Sequence, residues 1–486
     1  MYYAGLRIYE KDNEVTKRWK RKAINDLLRL RAALRGHNAP TDISRAPGID
    51  ERRLRMATWN IREFDTPNYA HRLEEAYYYL AEVISAFDLV ALQEVKGDLA
   101  PFDRLLRILG RDWAYVMTDA DESSAAHNER MVFVYDTRRV KFQGTAGEIN
   151  LSGGDRLQLA DSYDLRLDTG VDIELPPGSE LQHPQKVNSE KVSDGDYRIT
   201  PATVVDLPEG TKINVPDGTQ LAFKGRPDEF AFDIENGRIA NKRLDLKEGD
   251  SRNFSDEVRV RFPAQQMELG SQQFARTPFI AYFQSEWMKL ALCTVHIYYG
   301  SNADGSPQMA RRRAEIEALT EVLAKKASEK TDSDANSYFI ALGDFNIKGH
   351  DHQTMAALQS NDFEIPEQIQ AIPAGTNVKR DKYYDQIAFW QGRNAHGRGP
   401  KDYTEMKIVD AGIFDVFKHV YRHDGDDPDG EDEVHFRKRM EDVGRTYTDY
   451  SAWRTHQISD HLPMWVEIET DFADAYLASL LDRGEA

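Results

Sequence analysis

Phe339-Ile340-Ala341-Leu342-Gly343-Asp344-Phe345-Asn346 and Ser459-Asp460-His461-Leu462-Pro463-Met464-Trp465-Val466 decide the fold of this chain. The first is an apolar run of strand length that ends in an acid and an amide. The second begins with an acid and an imidazole and enters an apolar run. Each reads as a buried strand with a polar end. Two upstream stretches end the same way: Arg55-Met56-Ala57-Thr58-Trp59 ends in Asn60, and Leu89-Val90-Ala91-Leu92 ends in Gln93-Glu94. A rigid sheet presents functional groups at its strand ends and the loops that follow them. Four such coincidences point to one polar site built by one sandwich.

The 486 residues allow two or three domains, and a 40% hydrophobic content with 10% aromatics supports large cores. A net charge of -19 argues against a nonspecific grip on nucleic acid through overall charge. Residues 1–55 run against that average, with 14 Lys/Arg against 7 Asp/Glu. The single cysteine, Cys293, lies in the apolar run Met288–Val295 and reads as a buried small hydrophobe. One cysteine allows no disulfide within the chain, which suits a reducing compartment. Met1–Gly5 does not open a secretory leader, and no apolar stretch approaches the ~18 residues a bilayer span needs. The expectation is a cytoplasmic protein without a membrane partner.

Residues 13–36 read as a helix, with Ile24, Leu27, Leu28 and Leu34 near one stripe. Lys17, Arg18, Lys20, Arg21, Lys22, Arg29, Arg31 and Arg35 crowd its other face. This basic arm is a candidate contact for phosphates or an acidic protein partner; a solvated helix packed on the domain is the plainer reading. The loop Asn38–Asp50 separates it from the first strand. Helix and strand signals then alternate through Tyr135 and resume at Thr277. Between ~147 and ~262 helical periodicity disappears. A phrase recurs there: Leu175-Pro-Pro-Gly-Ser-Glu-Leu181, Leu207-Pro-Glu-Gly-Thr-Lys-Ile213 and Val215-Pro-Asp-Gly-Thr-Gln-Leu221. Pro followed two residues later by Gly sets a tight turn, so these read as hairpin-like units of a small inserted β-rich domain. The Arg311-Arg312-Arg313 run reads as a solvated helix face. The loop Gln391–Lys401 reads as basic and flexible, and the acidic run His423–Glu433 as a solvated loop. Pro428 sits where a calcium loop wants a ligand.

Hydrolysis of a phosphodiester needs a hard cation, an oriented water, and donors for the developing charge. Glu94, Asn60 and Asp460 are oxygen ligands of the type magnesium prefers. Asp344 can hold the water. Asn346, His296, Arg130 and His461 are the donors, although Arg130 could instead pair with Glu129 or Asp136. Asp385, in Tyr383-Tyr384-Asp385, could fix the tautomer of His461.

Thr58-Trp59-Asn60, Leu92-Gln93-Glu94, Val295-His296, Gly343-Asp344-Phe345-Asn346, Tyr384-Asp385 and Ser459-Asp460-His461 occur in an order that resembles the endonuclease/exonuclease/phosphatase superfamily, the fold of pancreatic deoxyribonuclease. The resemblance covers roughly 54–142 and 275–470. It implies an α/β fold, a four-layer αββα sandwich of two mixed sheets. It also implies Mg2+ on Glu94 with Asn60 and Asp460 nearby, and Mn2+ as a substitute ion. Asp344 would activate or orient water, and Asn346, His296 and Arg130 would steady the phosphate. His461, paired with Asp385, would contact the phosphate or handle a proton.

The domain expectation is a basic helical arm at 1–50, a catalytic domain at 51–146 and 263–470, an inserted β-rich domain at 147–262, and a helical tail at 471–486. The functional expectation is a magnesium-dependent phosphodiester hydrolase, a DNA endonuclease. The alternative is a phosphatase or phosphodiesterase on a lipid headgroup, nucleotide or other small phosphate ester. The insert is expected beside the catalytic face, selecting substrate or docking a protein partner. Fold alone settles none of this.

Overall fold

The computed structural model describes residues 1–37, 52–64, 66, 71–119, 129–149, 274–300, 304, 307–329, 337–393, 406–445, 449–471 and 473–482, and the strand backbone between 164 and 261. The chain divides into two compact units: Met1–Asn150, Phe274–Tyr298 and Leu319–Ala486 form one, and Leu151–Gln273 with Tyr299–Ala318 form the other.

The first unit holds two mixed six-stranded sheets. One contains β1 (Arg53–Phe64), β2 (Leu89–Lys96), β3 (Trp113–Met117) and β4 (Glu129–Asp136). The other begins with β5 (Lys141–Glu148) and adds β6 (Phe279–Ser285), β7 (Met288–His296), β8 (Ser337–Asp344), β9 (Phe363–Glu364) and β10 (Asp385–Trp390). Then β11 (Ile408–Ile413) and β12 (Met464–Glu469) return to the first sheet, whose order is β11-β12-β1-β2-β4-β3. The second runs β9-β10-β8-β7-β6-β5. Each sheet has one parallel pair, β1 with β2 and β7 with β8, flanked by antiparallel neighbours.

A parallel pair needs a crossover, and helices supply it here. α1 is Glu14–His37; α2 (Glu74–Ile84) joins β1 to β2, α3 is Ala100–Leu109, and α4 (Pro307–Ser328) joins β7 to β8. The inner faces meet in an aromatic seam, where Phe133 of β4 lies 5.7 Å from Phe279 and 5.4 Å from Phe283 between ring centroids. Gln93 Nε2 crosses the seam to donate to Thr294 Oγ1 at 2.9 Å. The expected sandwich of two mixed sheets with helices is therefore the observed one, and Cys293 is buried in β7 as read.

Gly343 shows why the sheet ends as it does. Its φ is +150°, and an added Cβ would stand 2.3 Å from the Val295 carbonyl on the paired strand. Only glycine lets β8 run this close to β7 before Asp344.

Several sequence expectations change. The buried stripe of α1 is Ala23, Leu27, Leu30 and Leu34, while Leu28 points outward at 62% exposure. Its cations are mostly committed internally. Lys17 pairs with Glu14, Lys20 with Asp12, Lys22 with Asp26 and Asp432, Arg29 with Asp26, Arg31 with Glu82, and Arg18 with Asp442. The packed-helix reading of the arm is the one the structure supports. The acidic run is not simply a solvated loop. After α5 (Gln353–Leu358), α6 (Glu431–Asp442) begins inside it, and Asp427 and Asp432 are buried against Arg422. In α4, Arg311 and Arg313 pair one turn on with Glu315 and Glu317, but Arg312 is buried rather than solvated.

In the second unit, the turn residues of the three Pro-x-Gly phrases and the insert's side chains lie outside the described residues, as do Asn38–Asp50 and most of Gln391–Lys401. The phrases do not close hairpins. Val204–Leu207 pairs with Asp250–Asn253, Lys212–Asn214 with Val171–Glu174, and Gln220–Phe223 with Phe232–Glu235 and Val258–Arg261.

Gly343→Ala should lower the melting temperature of the full chain by roughly 5–10 °C, since it combines a backbone clash with a disfavoured φ. Gly349→Ala, where an added Cβ meets nothing within 4 Å, should change it little. Equal melting curves for the two variants by circular dichroism would contradict the close-approach argument.

Candidate active site

Strand register brings the polar ends together. Asn60 on β1 pairs with Gln93 on β2, one residue before Glu94. There the ladder slips, with Leu92 opposite Val132 but Val95 opposite Arg130. Glu94 takes a left-handed conformation, φ +64°, in that irregularity. A bulge re-aims a side chain that alternation would send elsewhere. In the other sheet His296 and Asp344 are register partners at the ends of β7 and β8, and Asp344 pairs in turn with Asp385 at the start of β10. His461 precedes β12. Its segment is fixed by Ser459 Oγ, which donates to Asn60 O at 2.6 Å and accepts from His461 N at 3.0 Å, and by Trp59 Nε1, which donates to His461 O at 2.9 Å.

Asn60 sits at the centre. Its Nδ2 donates to Glu94 Oε1 at 2.7 Å and to Asp344 Oδ2 at 3.0 Å. The other Glu94 oxygen accepts from Glu63 N at 2.6 Å. Two histidines flank Asp344, each held from behind by an acid. His461 Nδ1 lies 2.7 Å from Asp385 Oδ2, and His296 Nδ1 lies 3.0 Å from Glu129 Oε2. Both Nε2 atoms then face Asp344 Oδ2 at 3.7 Å, and that of His296 also faces Glu94 Oε1 at 3.8 Å. A carboxylate on Nδ1 fixes tautomer and ring orientation together.

The electrostatics follow. Burial would raise the pKa of Asp344, but His461, His296, the Asn60 amide and the Asn346 N–H hold it below the ordinary 3.8. Burial opposes charge on His461, yet Asp385 and Asp344 raise its pKa well above 6.5. Both neighbouring acids thus favour the protonated ring, while burial and Asp344 push the pKa of Asp385 itself above 3.8. Burial likewise works against ionised Glu129, but His296, Arg276 and Lys96 hold its carboxyl down to about 2.

The structure thus brings together Asn60, Glu94, His296, Asp344, Asp385 and His461. It places two other residues differently from expectation. The Asp460 carboxylate turns outward, 46% exposed and 3.7 Å from Arg62 Nε, and is not part of either acid–histidine cluster among the described residues. Those clusters are Glu94 with Glu129 and His296, and Asp344 with Asp385 and His461. Asn346, left-handed at φ +53°, gives its Nδ2 to Ile297 O at 2.8 Å and its N–H to Asp344 Oδ1 at 3.0 Å. It braces Asp344 from the strand end. Arg130 donates to Thr118 O at 3.0 Å and lines a cleft with Glu94, Glu129, Arg276 and His296. Glu129 and Asp136 are instead engaged by His296, Arg276 and Arg138.

Sequence reasoning missed Glu129 and Arg276. Arg276 Nε donates to Glu129 Oε2 at 2.7 Å, and Lys96 Nζ approaches the other oxygen at 3.3 Å. The usable signal was an acid opening an apolar strand, Glu129 before Met131–Tyr135.

No family model matches the sequence, and no curated protein matches it. Solved structures that it resembles include an endonuclease/exonuclease/phosphatase family protein from Bacteroides thetaiotaomicron, with 12% identity, 86% of this chain and 98% of that one covered, and a TM-score of 0.40. A mannosyl-6-phosphatase from the same organism has 12% identity, coverage of 85% and 99%, and a TM-score of 0.39. A humanised D. rerio TDP2 has 11% identity, coverage of 86% and 99%, and a TM-score of 0.37.

Asp385→Asn should lower the His461 pKa, because it removes the foremost charge that favours the imidazolium. Nitrogen-15 NMR of the ring should show wild-type His461 still protonated at pH 7 and the variant titrating earlier. The sign also sets a stability window: a raised histidine pKa stabilises fully below 6.5 and loses that contribution as pH climbs through the folded value. A wild-type ring that titrates at or below 6.5 would contradict the assignment.

Proposed function

We propose that this chain is a divalent-metal-dependent phosphodiester hydrolase and that DNA is its substrate, cut internally. One observation carries the reading: a buried, ionised Asp344 lies between two Nε2 atoms, each ring oriented by its own carboxylate, beside the rim carboxylate Glu94. Such a set can hold a water, accept its proton and donate another across one small space.

The donor chemistry fits a hard cation. Glu94 and Asp344 offer carboxylate oxygens joined through the Asn60 amide. Glu94 would hold the ion, with Asp344 linked to it through the Asn60 amide and Glu129 in the same acid–histidine cluster. When bound, the cation neutralises phosphate charge and favours attack by water. Asp344 orients the attacking water. His296 gives its Nδ1–H to Glu129, so its Nε2 can accept the water proton. The new O–P bond forms as the bond from phosphorus to the leaving oxygen breaks, and the His461 imidazolium supplies a proton to that oxygen. Arg130 and Arg276, at the cleft wall, are cations suited to the nonbridging oxygens.

A second reading, a small phosphate ester as substrate, gains from the internal pairing of α1. Six of the eight cations on that arm have carboxylate partners, so the arm is a weak argument for DNA.

Supercoiled plasmid with Mg2+ should be nicked, EDTA should stop it, and Asp344→Asn or His461→Ala should each slow it by about 10²-fold or more. Glu129→Gln should cost less than removal of His461, because it acts through the His296 ring. Full activity in His461→Ala would refute the assignment. An inert plasmid beside hydrolysis of a small diester would transfer the reading to the second substrate class.

A further inference from the structure

The turn between Gly375 and Lys382 is built rigidly against the histidine of the site. Gly375 N donates to Arg380 O at 2.9 Å, and Arg380 N donates to Asn377 O at 2.8 Å. Asn377 Oδ1 accepts from Asp381 N at 3.0 Å and Lys382 N at 2.9 Å. Gly375 has no room for a Cβ, which would stand 2.1 Å from Lys382 O. Arg380 is held left-handed, at φ +62°. The turn is tied to the catalytic segment by an antiparallel bridge between Asn377 and His461, made by two bonds: Val378 N donates to Asp460 O at 2.9 Å, and Leu462 N donates to Thr376 O at 2.7 Å. Its exit leads directly into Asp385, the partner of His461.

This turn carries Lys379, Arg380 and Lys382 within four residues. Lys379 is exposed, and the other two are half-exposed. Among the described residues none of the three forms an ion pair. The turn's own acid, Asp381, accepts from Asn377 Nδ2 at 2.7 Å, with the charges of Lys382 and Lys379 also acting on it. Asp415 is the carboxylate that acts on Arg380. The contrast with α1 is direct: the cations of that helix are mostly ion-paired in place, whereas these three, on a turn bridged to His461, form no ion pair and feel Asp415 and Asp381 only at longer range. Two residues of chain reach at most about 7 Å, so Lys379 stands near the backbone that bridges His461.

We propose that Lys379, Arg380 and Lys382 form an auxiliary phosphate-binding edge that grips the backbone of a nucleic-acid strand next to the scissile phosphate. The inference rests on the phosphodiester-hydrolase reading of the adjoining site and extends it, because a substrate held here must carry further phosphates along a chain. Three positioned cations on an acidic protein supply local attraction where the net charge would repel. They contact phosphates and not base edges, so they add affinity and salt dependence without sequence preference.

The test is binding, measured without metal so that it does not depend on turnover. Fluorescence anisotropy of labelled 20-nucleotide single-stranded DNA and RNA would be followed in EDTA across a potassium chloride series, using the full chain. Lys379→Gln/Arg380→Gln/Lys382→Gln should weaken binding about 10-fold at low salt and flatten the log–log salt slope by about 2. Lys379→Gln alone, at an exposed position, should remove roughly a third of that slope change, which misfolding of the turn would not mimic. Lys17→Gln/Arg18→Gln/Arg29→Gln, an equal charge change at cations of α1 that already have carboxylate partners, should leave the slope nearly unaltered. Equal losses from the two triple variants, an unchanged slope in the turn variant, or no binding of either strand by wild type would each overturn the proposal. A loss confined to the DNA or the RNA arm would support it and identify which backbone the edge grips. Failure of plasmid nicking with an intact salt effect would count against the catalytic reading and leave this edge standing.

Discussion

A carboxylate buried where two sheets meet constrains everything around it. Asp344 is 2% exposed, and an unpaired charge there would be costly. The Asn60 amide answers it from the opposite sheet and binds Glu94 with the same nitrogen. The first sheet therefore cannot shift against the second without breaking this bridge. The two imidazoles complete the compensation, and each needs a carboxylate of its own. One buried acid thus sets the strand ends, the glycine at 343, the left-handed Asn346 and the bulge at Glu94.

Four of the ten positive-φ residues other than glycine among the described residues lie at the same place. Arg62, Glu63, Glu94 and Asn346 are all left-handed. Backbone strain of this kind persists only where surrounding bonds over-determine it. Those bonds are present: Arg62 N donates to Asn60 Oδ1, Glu63 N to Glu94 Oε2, and Asn346 N to Asp344 Oδ1. Arg72 adds a clasp, since its guanidinium donates to Ile61 O and Arg62 O on one side and to Gln457 O and Ile458 O on the other. The Asn60 turn and the Ser459–His461 segment share this one cation.

Strand ends were legible because each is an apolar run punctuated by a polar residue, a purely local signal. Asn60, Glu94, His296, Asp344, Asp385 and His461 could be read that way. Asp460 carried the same signal, and its side chain still turned to Arg62. The carboxylate of Asp460, in a bend, still acts on His461 from there. Glu129 and Arg276 stayed hidden because their roles exist only as a pair, from positions far apart in sequence that meet across the seam. The hairpins failed for a related reason: a tight turn shows that the chain reverses and leaves open which strand it then joins.

Charge was the least legible property. Counting residues made α1 the basic feature of the chain and His423–Glu433 an acidic, solvated one. The fold sets part of one against part of the other, with Lys22 3 Å or less from both Asp26 and Asp432, and Arg18 beside Asp442. A buried network of this type is self-neutralising and spends its field on itself. The field that reaches a ligand comes from cations that form no ion pair. Among the described residues those at 379, 380 and 382 are held in a turn that the histidine segment itself anchors. Local charge density in a sequence therefore says little until the fold has shown which charges are spent.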